Sequence, residues 1–258
     1  MLQQHYKTFQ HPVVGESYEV TISVPMVSAP LEGFPVLYVL DGNAYGTMSK
    51  EILKLQWRRS DKTKVEPTVI VSIGYGTAEV FPSVRVFDFT PPSSTVSLPP
   101  KPDGTPWPAH GGADGFLRFI EKELLPFVGE SAPIDANQQT LFGHSLGGLF
   151  VLYALCRRPD LFRNYISCSP SIWWNECQIF QEGQMKCLPG KKLFIGAEKG
   201  EKQNMYDNAF HLYERLRTDS PASVMFRSPE GENHMSIVPA ILSEAIRFFM
   251  TNEEEAKT

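Results

Sequence analysis

Residues 139–149 read QTLFGHSLGGL, which sets Ser145 between Gly143 and Gly147, at the end of an apolar run and the head of a helix-forming one. G-x-S-x-G serves chemistry in a strand, serine, helix context, where a sharp turn lifts the hydroxyl above a sheet. A side chain at Gly143 or Gly147 is expected to collide with the opposite arm of that turn, and Gly148 is expected to let the new helix pack closely on neighbouring strands. The competing reading is a small residue in a tight turn.

A serine hydroxyl is a poor nucleophile until a base takes its proton. The chain has six histidines. His5 and His11 fall in an N-terminal segment expected to be peripheral, His110 in a long loop and His211 in a helix. His144 adjoins the serine, but neighbouring side chains diverge on a sharp turn, so it is expected to brace the turn or rim the pocket. His234, in PEGENHMSIVP, follows the last expected strand and precedes the last helix, and a loop there can reach across the sheet edge to Ser145. The base needs an acid to hold its tautomer and stabilise the imidazolium. Glu198 leaves a strand directly in GAEKGEKQNMYDN and is favoured; Glu201 and Asp207 compete, and a Ser-His pair without a third member stays open. The developing oxyanion needs aimed donors. The backbone N–H groups of Leu146 and of Asn43, in the DGN that follows FPVLYVL, are the candidates, although DGN also reads as an ordinary turn.

These residues need a sheet to hold them. Strands are expected at 18–25, 34–42, 67–76, 139–143, 164–170, 191–197 and 222–229, several almost solidly apolar, as strands covered on both faces are. Helices are expected at 113–127, where Phe116, Ile120 and Leu124 share a face, and at 146–157, 205–218 and 239–250. Alternation of the two from mid-chain onward predicts an α/β, doubly wound, mostly parallel sheet covered by helices on both faces, in a single domain over 1–258. The Pro-rich stretch 77–112 is expected to lack helix or central strand and to border the site; Phe81, Phe87, Phe89 and Trp107 favour docking of that loop onto the body.

The chain has 258 residues, 42% hydrophobic, enough for a large core. A net charge of −5 without a concentrated basic patch argues against nucleic acid or an anionic membrane as partner. Cys156, Cys168, Cys177 and Cys187 lack metal-ligand spacing and read as reduced thiols. With no signal-like apolar stretch at the N-terminus and no membrane-length run, a cytoplasmic protein is expected.

Several ordered stretches then carry a resemblance: VLYVLDGNAY at 36–45, VSIGYG at 71–76, RVFDFTP at 85–91, GGADGFLRFIEKELLPFV at 111–128, LFGHSLGGLFVLYAL at 141–155 and SPSIWW at 169–174. Running from about residue 13 to 250, they resemble the esterase D-like branch of the α/β-hydrolases. Within it the chain is most similar to the group that includes bacterial siderophore esterases, which open trilactones such as enterobactin and bacillibactin. The resemblance implies a serine esterase with Ser145 as nucleophile, His234 as base, an acid at or near Glu198, and the Asn43 and Leu146 amides as oxyanion hole. It implies a small-molecule ester as substrate, with no cofactor and no metal. Arg85, Tyr75, Trp173, Trp174 and His144 are expected to line the substrate; Arg85 reads equally as a local anchor, Asp88 as structural, and one tryptophan of the pair as core. Around the expected cleft only Arg85, Lys101 and Arg118 are positive, against the charge a ferric catecholate complex would need. An acyltransferase on the same triad, a lipase, and a non-catalytic binding protein of the same fold are the other readings.

Overall fold

Apolar runs become buried strands here because alternate side chains enter different layers. In β3 (Phe34–Val39), Val36 and Tyr38 join one buried cluster while Leu37 and Val39 join the other. The computed structural model describes residues 1–13, 15–101, 103–180, 190–200, 204–219 and 223–250. With β1 (Leu2–Gln10), β2 (Ser17–Pro25), β4 (Val69–Tyr75), β5 (Ile134–His144), β6 (Asn164–Cys168), β7 (Lys192–Gly196) and β8 (Ser223–Arg227), it forms an eight-stranded sheet in the order β1-β2-β4-β3-β5-β6-β7-β8. β2 is antiparallel to both β1 and β4, and every other pairing is parallel.

The helices are α1 (Gly42–Trp57), α2 (Ser60–Thr63), α3 (Arg85–Phe89), α4 (Ala113–Phe119), α5 (Leu125–Ser131), α6 (Leu146–Arg157), α7 (Trp174–Cys177), α8 (Met205–Asp219) and α9 (Ile237–Met250). α1 and α9 cover one face of the sheet; α4, α5, α6 and α8 cover the other. α9 buries Ile237, Val238, Ile241, Leu242, Ala245, Ile246 and Phe249, a stripe at helical spacing. α6 is buried all round from Leu146 to Leu155, which matches its lack of a polar face. Among the described residues, no helix is long and apolar enough to cross a membrane.

Several expectations change. Residues 2–10, read as a peripheral segment, are the edge strand β1; most of its side chains are exposed, so it carries no apolar alternation to announce it. The strand expected to reach residue 42 stops at Val39, and α1 begins at Gly42 after Asp41 takes φ 51°. The 77–112 stretch contains α3, a short helix lying between Pro82 and Pro91. Residues 113–127 are not one regular helix: a π turn at Ile120–Leu124 separates α4 from α5, whose first turn holds Pro126. Proline has no N–H to give the carbonyl one turn earlier, so the local winding changes there. β5 starts at Ile134 rather than 139, and α9 at Ile237 rather than 239, with Pro239 tolerated in its first turn. The loop's aromatics dock as expected: Phe89 is buried, and the Trp107 ring meets Trp174 edge-on at 5.2 Å. Cys156, Cys168 and Cys177 are free thiols, and Cys187 lies outside the described residues.

Candidate active site

β5 ends at His144 and α6 begins at Leu146, so Ser145 makes the whole turn, with φ 58° and ψ −119°. Such a backbone is costly for a residue with a Cβ and is held only by its surroundings. Its N–H donates to the Cys168 carbonyl at 3.0 Å, and its own carbonyl accepts from Leu149 and Ser171 at 3.0 and 3.1 Å. A Cβ on Gly143 would stand 2.3 Å from the Gly147 carbonyl oxygen, so glycine is obligatory there. The same expectation for Gly147 is corrected: a Cβ there would meet nothing nearer than Asp41 Oδ2 at 3.4 Å, an ordinary contact. The second position closed to a side chain is Gly148, where a Cβ would lie 2.8 Å from the Cys168 carbonyl oxygen. Close passage of α6 over the end of β6 therefore sets the motif as much as the turn does.

The sheet register carries the other members to the serine. His144 pairs with Cys168, Cys168 with Gly196 and Gly196 with Arg227, so the chain leaves β5, β6, β7 and β8 at one level of one edge. Glu198 leaves β7 two residues past Gly196, and His234 sits in the loop from β8 to α9. The His234 Nε2 lies 3.0 Å from Ser145 Oγ and its Nδ1 lies 2.9 Å from Glu198 Oε1. An ionised carboxylate can only accept, so Nδ1 carries the proton and the bare Nε2 of the neutral ring faces the serine hydroxyl. The Glu198 side chain is fully buried. Burial pushes its pKa up, but hydrogen bonds from His234, Ser169 and its own backbone N–H outweigh that, and the carboxyl is held below its ordinary range. Of the competing acids, Asp207 is exposed on α8, and Glu201 lies outside the described residues.

Asn43 and Leu146 lie in the first turns of α1 and α6, where a backbone N–H has no carbonyl one turn back to bond. β3 and β5 are parallel neighbours with Val39 opposite Phe142, which starts both helices side by side at the edge that holds Ser145. The Asn43 side chain is tied down on three sides: Oδ1 accepts from the Tyr75 N–H at 2.8 Å, and Nδ2 donates to the carbonyls of Tyr75 and Thr77 at 3.2 and 2.8 Å.

The expected substrate contacts fare differently. Arg85 is buried and makes a two-pronged ion pair with Asp41, at 2.6 and 2.8 Å, with a longer contact to the His144 carbonyl. Burial works against its charge, and Asp41 more than restores it, raising the Arg85 pKa. Its reading as a substrate-binding cation is corrected to that of an anchor joining α3 to the β3–α1 turn. Replacing Arg85 with methionine leaves the buried Asp41 charge unpaired and is expected to cost about 3–5 kcal/mol of stability, read as a lower midpoint in urea unfolding; an unchanged midpoint would refute the anchor role.

Tyr75 is buried, and its hydroxyl donates to Asp88 at 2.8 Å, in a knot with Tyr18 and His11 around the same carboxylate. It supports Asn43 through its backbone instead of facing a substrate. His144 is buried with Nδ1 on the Tyr45 hydroxyl at 2.8 Å, and its ring lies 4.5 Å from that of His234. Burial, then the fields of His234 and Arg85, push its pKa well down, so it packs as a neutral ring behind His234. Trp174 is core, whereas Trp173 is half-buried, with its ring 5.9 Å from that of Trp107. Lys101 pairs with Asp103. Arg118 shares a depression with Arg157 and Arg158, at the end of α6 that lies roughly 18 Å along the axis from Ser145.

Sequence reading missed two serines. Ser169 Oγ donates to the Glu198 Oε2, and Ser171 Oγ lies 3.3 Å from Ser145 Oγ. The SPS that holds them signals only a turn.

A mostly parallel sheet that delivers serine, acid and histidine in that chain order, after β5, β7 and β8, with helices on both faces, is the α/β-hydrolase fold. The chain belongs to the family described as "Putative esterase", which it matches over residues 12–247, and it is an ester hydrolase. It is 46% identical to the ferri-bacillibactin esterase BesA of Bacillus subtilis over 90% of this chain and 84% of that one. To the siderophore enterobactin esterase of Emericella nidulans it is 32% identical, over 90% and 88% of the two chains. The crystal structure of the BES protein from Bacillus cereus superposes with a TM-score of 0.86 at 37% identity, covering 96% of each chain.

Proposed function

We propose that this chain, as a single domain, is a serine esterase that opens the ester linkages of a siderophore trilactone through Ser145, His234 and Glu198. The observation that carries the mechanism is the unbroken chain of contacts from Ser145 Oγ to His234 Nε2 and from Nδ1 to Glu198, at 3.0 and 2.9 Å. As Ser145 Oγ attacks the ester carbonyl, its proton passes to Nε2 and the carbonyl electron pair moves onto oxygen, facing the Asn43 and Leu146 amides. Collapse breaks the bond to the leaving alcohol, which takes the proton from Nε2. Water then repeats the sequence on the acyl-enzyme. Glu198 stays ionised and fixes the proton on Nδ1 throughout.

The relatives named for bacillibactin and enterobactin support the substrate class. Arg85 and Lys101 are both paired with carboxylates, which favours recognition by shape and aromatic contact, with Trp173 as the candidate wall, over gripping the negative charge of a ferric catecholate complex. The test compares kcat/KM for an iron-free catecholate trilactone, its ferric complex and a short-chain p-nitrophenyl ester. The expected order places the iron-free trilactone at least level with the ferric complex and above the simple ester. Turnover of the simple ester alone would remove the siderophore reading and leave the esterase in place.

A further inference from the structure

The nucleophile has a second hydroxyl beside it that the three-residue mechanism does not use. Ser171 is 1% exposed, and its Oγ lies 3.3 Å from Ser145 Oγ. Among the described residues that is the only partner of its hydroxyl. Its main chain is fixed on both sides: the Ser171 N–H donates to the Ser145 carbonyl at 3.1 Å, and its carbonyl accepts from the Trp174 N–H at 3.1 Å. Pro170 limits the turn before it, and Ser169 anchors that turn through its N–H on the Gly196 carbonyl at 2.7 Å.

The direction of the serine–serine contact follows from the histidine. Each hydroxyl has one proton. Nε2 of the neutral His234 ring is bare, because Nδ1–H is committed to Glu198, so the Ser145 proton points to Nε2 at 3.0 Å. The proton between the two serines is therefore that of Ser171, donated to a lone pair of the attacking oxygen.

We propose that Ser171 is a further catalytic residue, a hydrogen-bond donor to Ser145 Oγ that stabilises the negative charge gathering on that atom when it loses its proton and again when it departs. The inference rests on the proposed role of Ser145. In acylation, the Oγ–H bond breaks toward Nε2 while the Oγ–C bond forms; charge on Oγ peaks between the two events, and the Ser171 donor is strongest there. Once Oγ is an ester oxygen it is a poor acceptor and the contact weakens. In deacylation, the proton of water goes to Nε2 as water adds to the acyl carbon. Collapse then breaks the C–Oγ bond, with Oγ recovering a proton from Nε2. Ser171 again faces the leaving oxygen and keeps its own proton throughout. A donor that is stronger in the transition state than in the ground state raises kcat and not only affinity.

The test measures the rate constant for inactivation by a fluorophosphonate and the steady-state constants for a p-nitrophenyl ester, in Ser171→Ala, Ser171→Gly and Ser171→Thr. Loss of one hydrogen bond to a charged oxygen is expected to slow both inactivation and kcat by about 10- to 100-fold in the first two variants. KM and the shape of the pH profile should hold, and threonine should restore most of the rate. The glycine variant covers the case in which alanine does not fold. A disturbed turn would instead raise KM and distort the pH profile in all three variants, and that pattern overturns the proposal. So does a wild-type inactivation rate in folded Ser171→Ala or Ser171→Gly protein. Ser145→Ala, run alongside, separates the two claims: inert Ser145→Ala with unimpaired Ser171→Ala removes only Ser171, whereas active Ser145→Ala removes the nucleophile assignment itself.

Discussion

Replacing Ser145 with alanine is expected to lower kcat for every ester by about 10⁶-fold and to abolish covalent labelling by a fluorophosphonate. The size of the effect follows from how the site acts as a unit. Without Oγ there is no covalent route, and the proposed oxyanion donors, the amides of Asn43 and Leu146, can assist only a direct attack by water. Alanine has the Cβ that serine has and meets the same backbone demand at φ 58°, so the variant should fold and should still bind an uncleaved ester. The measurement is single-turnover hydrolysis of a p-nitrophenyl ester beside intact-mass analysis of the labelled protein. Retained turnover, or a label on another residue, would show that the hydroxyl raised by the β5–α6 turn is not the one that reacts.

For Glu198→Gln, a loss of about 10⁴-fold in kcat with little change in KM is expected. Glutamine fits the space but can turn its amide N–H toward Nδ1. The ring proton then moves to Nε2, and the face that should accept the serine proton carries one already. The carboxylate also stabilises the imidazolium, which the neutral amide does not. The pH consequence has a definite sign. A carboxyl held below its ordinary range contributes its stabilisation above the unfolded-state value and loses it as pH falls through the lowered folded-state value. The wild-type site should thus keep this contribution through the neutral range and lose it progressively as pH falls from the ordinary carboxylate range to the lowered folded-state value. Unfolding midpoints of wild type and Glu198→Gln, compared from neutral to acid pH, should converge there. Wild-type kcat in Glu198→Gln would return the acid role to another carboxylate or to a two-residue mechanism.

How much of this was legible in the sequence depends on how local the cause was. Ser145, His234 and Glu198 could be placed because each follows an apolar run, and a parallel sheet brings the ends of such runs to one edge. β1 was invisible because an edge strand with most side chains exposed has no hydrophobic period. α1 was hidden by its abrupt start: DGN reads as a turn, while the buried Tyr45, Ser49, Leu53 and Gln56 mix apolar and polar types on one face. Arg85 stayed undecided for a different reason. Its partner Asp41 lies far away in the chain, and an arginine among apolar residues looks the same whether it waits for a substrate or holds a buried carboxylate. Gly148 was legible, because its expected close packing on a neighbouring strand holds at the Cys168 carbonyl, whereas the Gly147 surroundings, Asp41, Phe89 and Leu40, come from distant parts of the chain that no local pattern reports. Ser169 and Ser171 became visible only once the loop after β6 was seen against both ends of the Ser145–His234–Glu198 chain of contacts.

The two helices that begin beside Ser145 have a consequence for acid tolerance. α1 and α6 each present the positive end of a macrodipole to the place where negative charge is expected to develop. That potential is made of peptide groups, which neither titrate nor swing away as a lysine would. The full charge of Arg85 is meanwhile cancelled locally by Asp41. The electrostatic pull on the reacting oxygen should therefore be built into the backbone and carried by groups that do not titrate.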